Sequence, residues 1–239
     1  MRKEPYSVGS IVHVVKRGSR GFPIVRDDLD RWRFLLMLEH FNDEFSSENW
    51  FRQLMEEKIA NTFKRPAHWP ERKKIVKILS FCLVENHFHL LLEEIKDGGI
   101  SRFMQKFGIS MAKHFNEKYH EKGSLFQGAY RSRTVHDDTY LRYVSAYIQV
   151  KNAFELYPGG YKKASQEFNA AFAWATGYLY CSLGNFLGER GYAPAEKSIL
   201  SDLFTKTEYK AFARDFILGR ATSAKEELDD ELMEKVPLE

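Results

Sequence analysis

His87-Phe88-His89, inside the stretch ILSFCLVENHFHLLLEEI, places two imidazoles one residue apart. On a strand, side chains alternate between faces, so His87 and His89 point together while Phe88 enters the opposite layer. Imidazole nitrogens are common metal ligands, and such a pair can fill two positions around a divalent cation. Taken alone, the pair has an ordinary alternative: a histidine on a half-buried strand is more often a hydrogen-bonded core or surface residue. Arg131 and Arg133 repeat the same spacing and share a strand face, from which both can follow a phosphate backbone. Lys16 and Arg17 make a further basic pair after the first apolar run.

The elements that position these groups are legible in outline. Ile78 to Leu83 and Leu90 to Leu92 are apolar on both faces and flank Val84-Glu85-Asn86, which predicts two central strands joined by a tight turn at Glu85-Asn86. The histidine pair then opens the second strand. Ile11–Val15 reads as an earlier strand, and Asp27-Asp28 opens a helix running through Leu38. A second helical piece is expected at about 47–63, and a longer one from Ser101 to Tyr119 with Phe103, Phe107, Met111 and Phe115 at helical spacing. A fourth strand follows KGSLFQGAYRSRTV, and Asp137-Asp138 caps a helix of about 138–155. The order predicts an α+β fold with a ferredoxin-like split βαβ antiparallel sheet and a C-terminal helical appendage. The expected divisions are 1–157, a helical region at 158–220, and a disordered acidic tail at 221–239.

A chain of 239 residues with 44% hydrophobic and 29% charged residues is that of an ordinary globular protein. No apolar run approaches a membrane span and no signal peptide is evident, so a cytoplasmic location without membrane attachment is expected. Cys82 and Cys181 read as small buried hydrophobes. The net charge of +3 is uneven: residues 221–239 carry seven acids against Lys225 and Lys235, a net of −5, leaving +8 on the rest. Each basic cluster alone fits a solvated surface. Several on one body, interleaved with aromatics, suit a polyanion such as nucleic acid.

Four segments in order, VGSIVHVVKRG with a following D-x-x-D-x-x-x-F-L pattern, VENHFHLLLE, GSLFQGAYRS and YLRYVSAYIQVKN, resemble the single-tyrosine HUH transposases of bacterial insertion sequences, which include the REP-associated tyrosine transposases. The resemblance runs from about Ser7 to Asn152. It implies a metal-dependent transposase that nicks and rejoins single-stranded DNA, with or without a hairpin, through a 5′-phosphotyrosine. It also implies His87 and His89 as ligands of Mg²⁺ or Mn²⁺ and Tyr147 as nucleophile; independently, Lys16, Arg17, Arg131 and Arg133 are candidates for phosphate contacts, as is the charged Lys151. Tyr143, one turn earlier, and Tyr140 remain alternative nucleophiles. Members often work as dimers, sometimes completing each site with the partner's tyrosine helix, although monomeric relatives exist, and a homodimer is expected here.

One position departs from the family. A glutamine or asparagine ligand commonly stands four residues after the nucleophile, where this chain has Lys151. Asn152 reaches the cation if the helix loosens near its end, and Gln149 is two residues from Tyr147. The alternative is a domesticated nucleic-acid-binding protein with a weak or lost site. An RNA-binding ferredoxin-like module is disfavoured, because the central strands lack its glycine-aromatic signature. His13 and His136 are further candidates to approach the site, although each reads more simply as structural, and His114 and His120 have no evident partner.

Overall fold

β1 (Ile11–Arg17), β2 (Val76–Leu83), β3 (His87–Glu94) and β4 (Arg131–Val135) form one antiparallel sheet in the order β2-β3-β1-β4. These positions come from a computed structural model, which describes residues 6–190, 194–196 and 199–220. The acidic tail expected at 221–239 lies outside the described residues. α1 (Asp28–Phe41) and the short α2 (Trp50–Glu56) connect β1 to β2, and α3 (Gly99–Tyr119) connects β3 to β4. Each of these connections steps over one strand. The arrangement is consistent with a ferredoxin-like core carrying extra helices.

Strand alternation divides the interior into two layers. Val12 and Val14 of β1 and Phe88, Leu90 and Leu92 of β3 face α1 and α3. There Phe34 meets Phe88 and Phe107 at ring-centre distances of 5.4 and 5.2 Å. The opposite face is covered by α4 (Asp138–Ala146), a π-helical turn (Tyr147–Lys151) and α5 (Asn152–Glu155). Behind these lie α6 (Gly160–Gln166), α7 (Phe168–Gly177), α8 (Leu183–Phe186), α9 (Ile199–Leu203) and α10 (Lys206–Ile217). Leu91 of the sheet, Val144 and Ile148 of the covering helix, and Phe172, Tyr209 and Phe216 beyond it share one apolar cluster. No helix among the described residues is long and apolar enough to cross a membrane.

Two expectations change in detail. β1 and β3 are the central strands, whereas β2 is an edge strand. Its apolar character on both faces comes from helices on each side, and its outer edge is closed by the chain near Cys181. The Leu83 N–H donates to the Tyr180 carbonyl and the Ser182 N–H to the Phe81 carbonyl, both at 2.9 Å. Cys82 and Cys181, both buried as expected, face each other across this bridge. The second helical piece ends early, at Glu56, just before Lys58 adopts a left-handed φ of 58°.

α1 and α3 are tied together by a buried carboxylate. Asp27 caps α1 by accepting the Asp30 N–H at 2.9 Å. Asp30 in turn accepts from the Arg26 N–H at 2.9 Å, His114 Nε2 at 3.0 Å, Lys118 Nζ at 2.7 Å and the Tyr119 hydroxyl at 2.6 Å. Burial pushes the Asp30 carboxyl up, but these donors outweigh it and hold the group well below the usual carboxylate range. His114 thereby gains a partner that its sequence position did not suggest. Asp30→Ala removes the acceptor of His114 and of the Tyr119 hydroxyl, while Lys118 keeps Asp27, and is expected to cost about 3 kcal/mol. Urea unfolding checks this, and an unchanged midpoint would show the network to be dispensable.

Candidate active site

The register of the sheet decides which polar side chains share a face. β1 pairs Arg17 with His87 and Val15 with His89, and on its other edge pairs Val15 with Arg131 and His13 with Arg133. Directly paired residues project to the same side. Arg17, His87, His89, His13, Arg131 and Arg133 therefore all lie on the face covered by the 138–155 helix. Lys16 pairs with Phe88 and lies on the other face. There its Nζ donates to the Gly128 carbonyl at 3.1 Å and sits 4.6 Å from the centre of the Phe126 ring.

Tyr147 descends onto this histidine face from the covering helix. Its ring centre is 5.4 Å from that of His89 and 6.0 Å from that of His13. His87 and His89 are 4.9 Å apart, and His13 and His89 5.1 Å. The ring of Tyr143 instead packs edge-on against Phe212 and Phe216 at 5.4 and 5.9 Å. Tyr140 lies beneath the Arg133 guanidinium at 4.9 Å. His136 is exposed, just before α4, and His120 forms the left-handed C-cap of α3.

The nitrogen atoms are arranged asymmetrically. His87 Nδ1 is 2.7 Å from the side-chain oxygen of Asn86, so that nitrogen carries the proton and Nε2 keeps its lone pair. Nε2 of His87 and Nε2 of His89 are both buried without a hydrogen-bond partner among the described residues. Burial, with the charges of Arg17 and Lys151 nearby, lowers His87 to about 3. Burial together with the neighbouring His87 and His13 takes His89 well below the ordinary imidazole range. Both rings are thus uncharged at neutral pH, the state in which a histidine ligates.

The helix itself resolves the mismatch at Lys151. The Asn152 N–H donates to the Tyr147 carbonyl, a span of five residues where an α-helix has four. That widened turn absorbs one residue, so Asn152 lies one turn along from Tyr147. Asn152 is fully buried, and neither polar atom of its carboxamide has a hydrogen-bond partner among the described residues. Lys151 bulges toward the rim, with Nζ 2.5 Å from Glu155 and 4.9 Å from the centre of the Tyr147 ring. Gln149 is committed elsewhere: its Nε2 donates to Ser182 Oγ at 2.8 Å and its Oε1 accepts from the Tyr209 hydroxyl at 2.7 Å. These bonds fasten the widened turn to the C-terminal helices.

The residues present fit a divalent cation. The Nε2 atoms of two neutral imidazoles lack partners among the described residues, and a buried, unsatisfied carboxamide stands at the end of the π turn, which packs against β2 and β3. Among the described residues no group of three or more His, Cys, Asp or Glu is arranged to hold a metal. Sequence reasoning undervalued His13; it allowed for a loosened helix before Asn152 but not for its form, a π turn. Alternation could place His13 on a face, but its register against β3 was not readable.

Residues 48–151 match a family model described as Transposase IS200 like. The match contains His87, His89 and Tyr147 and stops at Lys151, while β1 lies outside it. Among curated proteins none matches the chain. A solved structure described as the REP associates tyrosine transposase bound to a REP hairpin aligns over 87% of this chain and 94% of that one, at 12% identity and a TM-score of 0.41. The stretch bearing the histidine pair and Tyr147 is thus similar to the IS200-like transposases.

Proposed function

We propose that this protein is a metal-dependent single-stranded DNA transposase of the HUH single-tyrosine type, on a ferredoxin-like core, acting through a 5′-phosphotyrosine. The observation that carries the reading is the contact of the Tyr147 ring with His89, beside two open imidazole nitrogens. His87, His89 and Asn152 would hold a Mg²⁺ or Mn²⁺ ion, which when bound withdraws charge from a non-bridging phosphate oxygen.

The chain's own residues account for the remainder. Attack by the Tyr147 oxygen on phosphorus forms one P–O bond as the P–O3′ bond breaks; the phenol loses a proton and the departing 3′ oxygen gains one. A free phenol has a pKa of about 10. The Lys151 ammonium lies 4.9 Å from the centre of the ring. Because the linkage stores one phosphodiester bond, another strand's 3′ hydroxyl can reverse the step without ATP. Arg17, Arg131 and Arg133 on the histidine face track the backbone of a single strand, with or without a hairpin. Lys16, on the other face, contributes only through DNA that wraps the sheet end. Tyr147 and His89 meet within one chain, so a homodimer that exchanges the tyrosine helix is not needed to complete the site.

A second reading, a binding protein without catalysis, draws on the closure of the site: Tyr147 is 3% exposed and His89 fully buried. Entry of a phosphate requires the rim, including Lys151, to move aside. Incubating the protein with end-labelled single strands and Mn²⁺ separates the two readings. The transposase reading expects a denaturant-resistant adduct that a chelator prevents. Salt-sensitive binding with no adduct would favour the binding protein.

A further inference from the structure

His13 is a buried imidazole to which the chemistry above gives no role. It is fully buried on β1, diagonal to His89 in the strand register, and its Nε2 is 2.9 Å from His89 Nδ1. Between two neutral imidazoles, one of these nitrogens must donate and the other accept. If His13 donates, the proton of His89 sits on Nε2, where it has no acceptor among the described residues and where it blocks ligation. If His89 donates from Nδ1, its Nε2 presents a lone pair, and the proton of His13 sits on Nδ1, which likewise has no partner among the described residues; each arrangement strands one N–H, and only this one leaves His89 able to ligate. His87, whose Nδ1 donates to Asn86, already has that arrangement.

We infer that His13 is a positioning residue: it accepts the Nδ1 proton of His89 and so holds the His89 Nε2 lone pair toward the cation. The inference rests on the cation reading for its purpose, but the hydrogen bond stands on its own geometry. Ligating histidines are ordinarily fixed by an acceptor behind the ring, often a carboxylate or backbone carbonyl. Here the acceptor is a second, uncharged imidazole. It orients His89 without delivering negative charge through the ring, which leaves more of the cation's charge available to a phosphate.

Two substitutions and two readouts test this. His13→Phe keeps ring volume and removes the acceptor, whereas His13→Gln retains an acceptor oxygen. Nitrogen NMR of the metal-free wild type should show His89 protonated at Nδ1, and His13→Phe should move that proton to Nε2. Titration with Mn²⁺, followed by electron paramagnetic resonance of the free ion, should show affinity falling about 10-fold or more in His13→Phe and changing far less in His13→Gln. A wild-type His89 protonated at Nε2, or a folded His13→Phe that binds Mn²⁺ like wild type, overturns the assignment. If His13→Phe fails to fold, a wild-type His89 protonated at Nε2 or a His13→Gln variant with Mn²⁺ affinity lowered about 10-fold would each decide against it. If wild type takes up no Mn²⁺, the cation reading fails, and the spectrum alone then supports or overturns the pairing.

Discussion

Tyr147→Phe is expected to eliminate covalent attachment to DNA, lowering adduct formation by at least about 10³-fold, while DNA affinity stays within about twofold. The substitution removes one oxygen and leaves the ring that packs on His89 at 5.4 Å and lies under Lys151 at 4.9 Å. The sheet face and its helix should therefore keep their packing. Tyr143→Phe is the matched control, because its ring packs against Phe212 and Phe216. It should form adduct at close to the wild-type rate. Peptide mapping of trapped protein–DNA complexes gives the decisive reading: an adduct on any tyrosine other than 147 would sink the assignment.

Asn152→Ala should weaken Mn²⁺ binding by at least about 10-fold and reduce nicking in parallel, whereas Lys151→Ala should leave the metal affinity nearly unchanged. The buried, unsatisfied carboxamide of Asn152 and the rim position of Lys151 set these opposite expectations. The π turn permits a sharper test. Deleting Lys151 shortens Tyr147-to-Asn152 to four steps, the span of an ordinary α-helical turn, and leaves the residues after the turn in their original places. The deletion should melt near the wild-type temperature and bind Mn²⁺ with similar affinity. A deletion variant that unfolds, or that loses the ion as completely as Asn152→Ala, would show that the fifth residue is more than an absorbed insertion.

Parts of this arrangement were legible because they depend on local spacing. The alternation of His87, Phe88 and His89 predicted a shared face, and β3 does begin at His87 with Phe88 in the opposite core layer. The caps at Asp27 and Asp137 opened helices where expected, each side chain accepting the N–H three residues on. Arg131 and Arg133 alternate as Ile-type strand residues would, onto the face of the histidines. Lys16 and Arg17 read as one basic pair, yet adjacent strand residues must part, and they lie on opposite faces. The helix of about 138–155 was predicted over its full length, but not the change of hydrogen-bond span within it.

What the chain order alone determined is thus the set of elements, the facing of the histidine pair and the presence of Tyr147 on a following helix, since each follows from periodicities within a few residues. Only the folded molecule decided that Tyr147 rather than Tyr143 meets the imidazoles, that Asn152 rather than Lys151 lies one turn on, and that His13 stands behind His89. Those outcomes depend on strand register and on the fastening of Gln149 by Ser182 and Tyr209, contacts between residues far apart in sequence that no local pattern encodes.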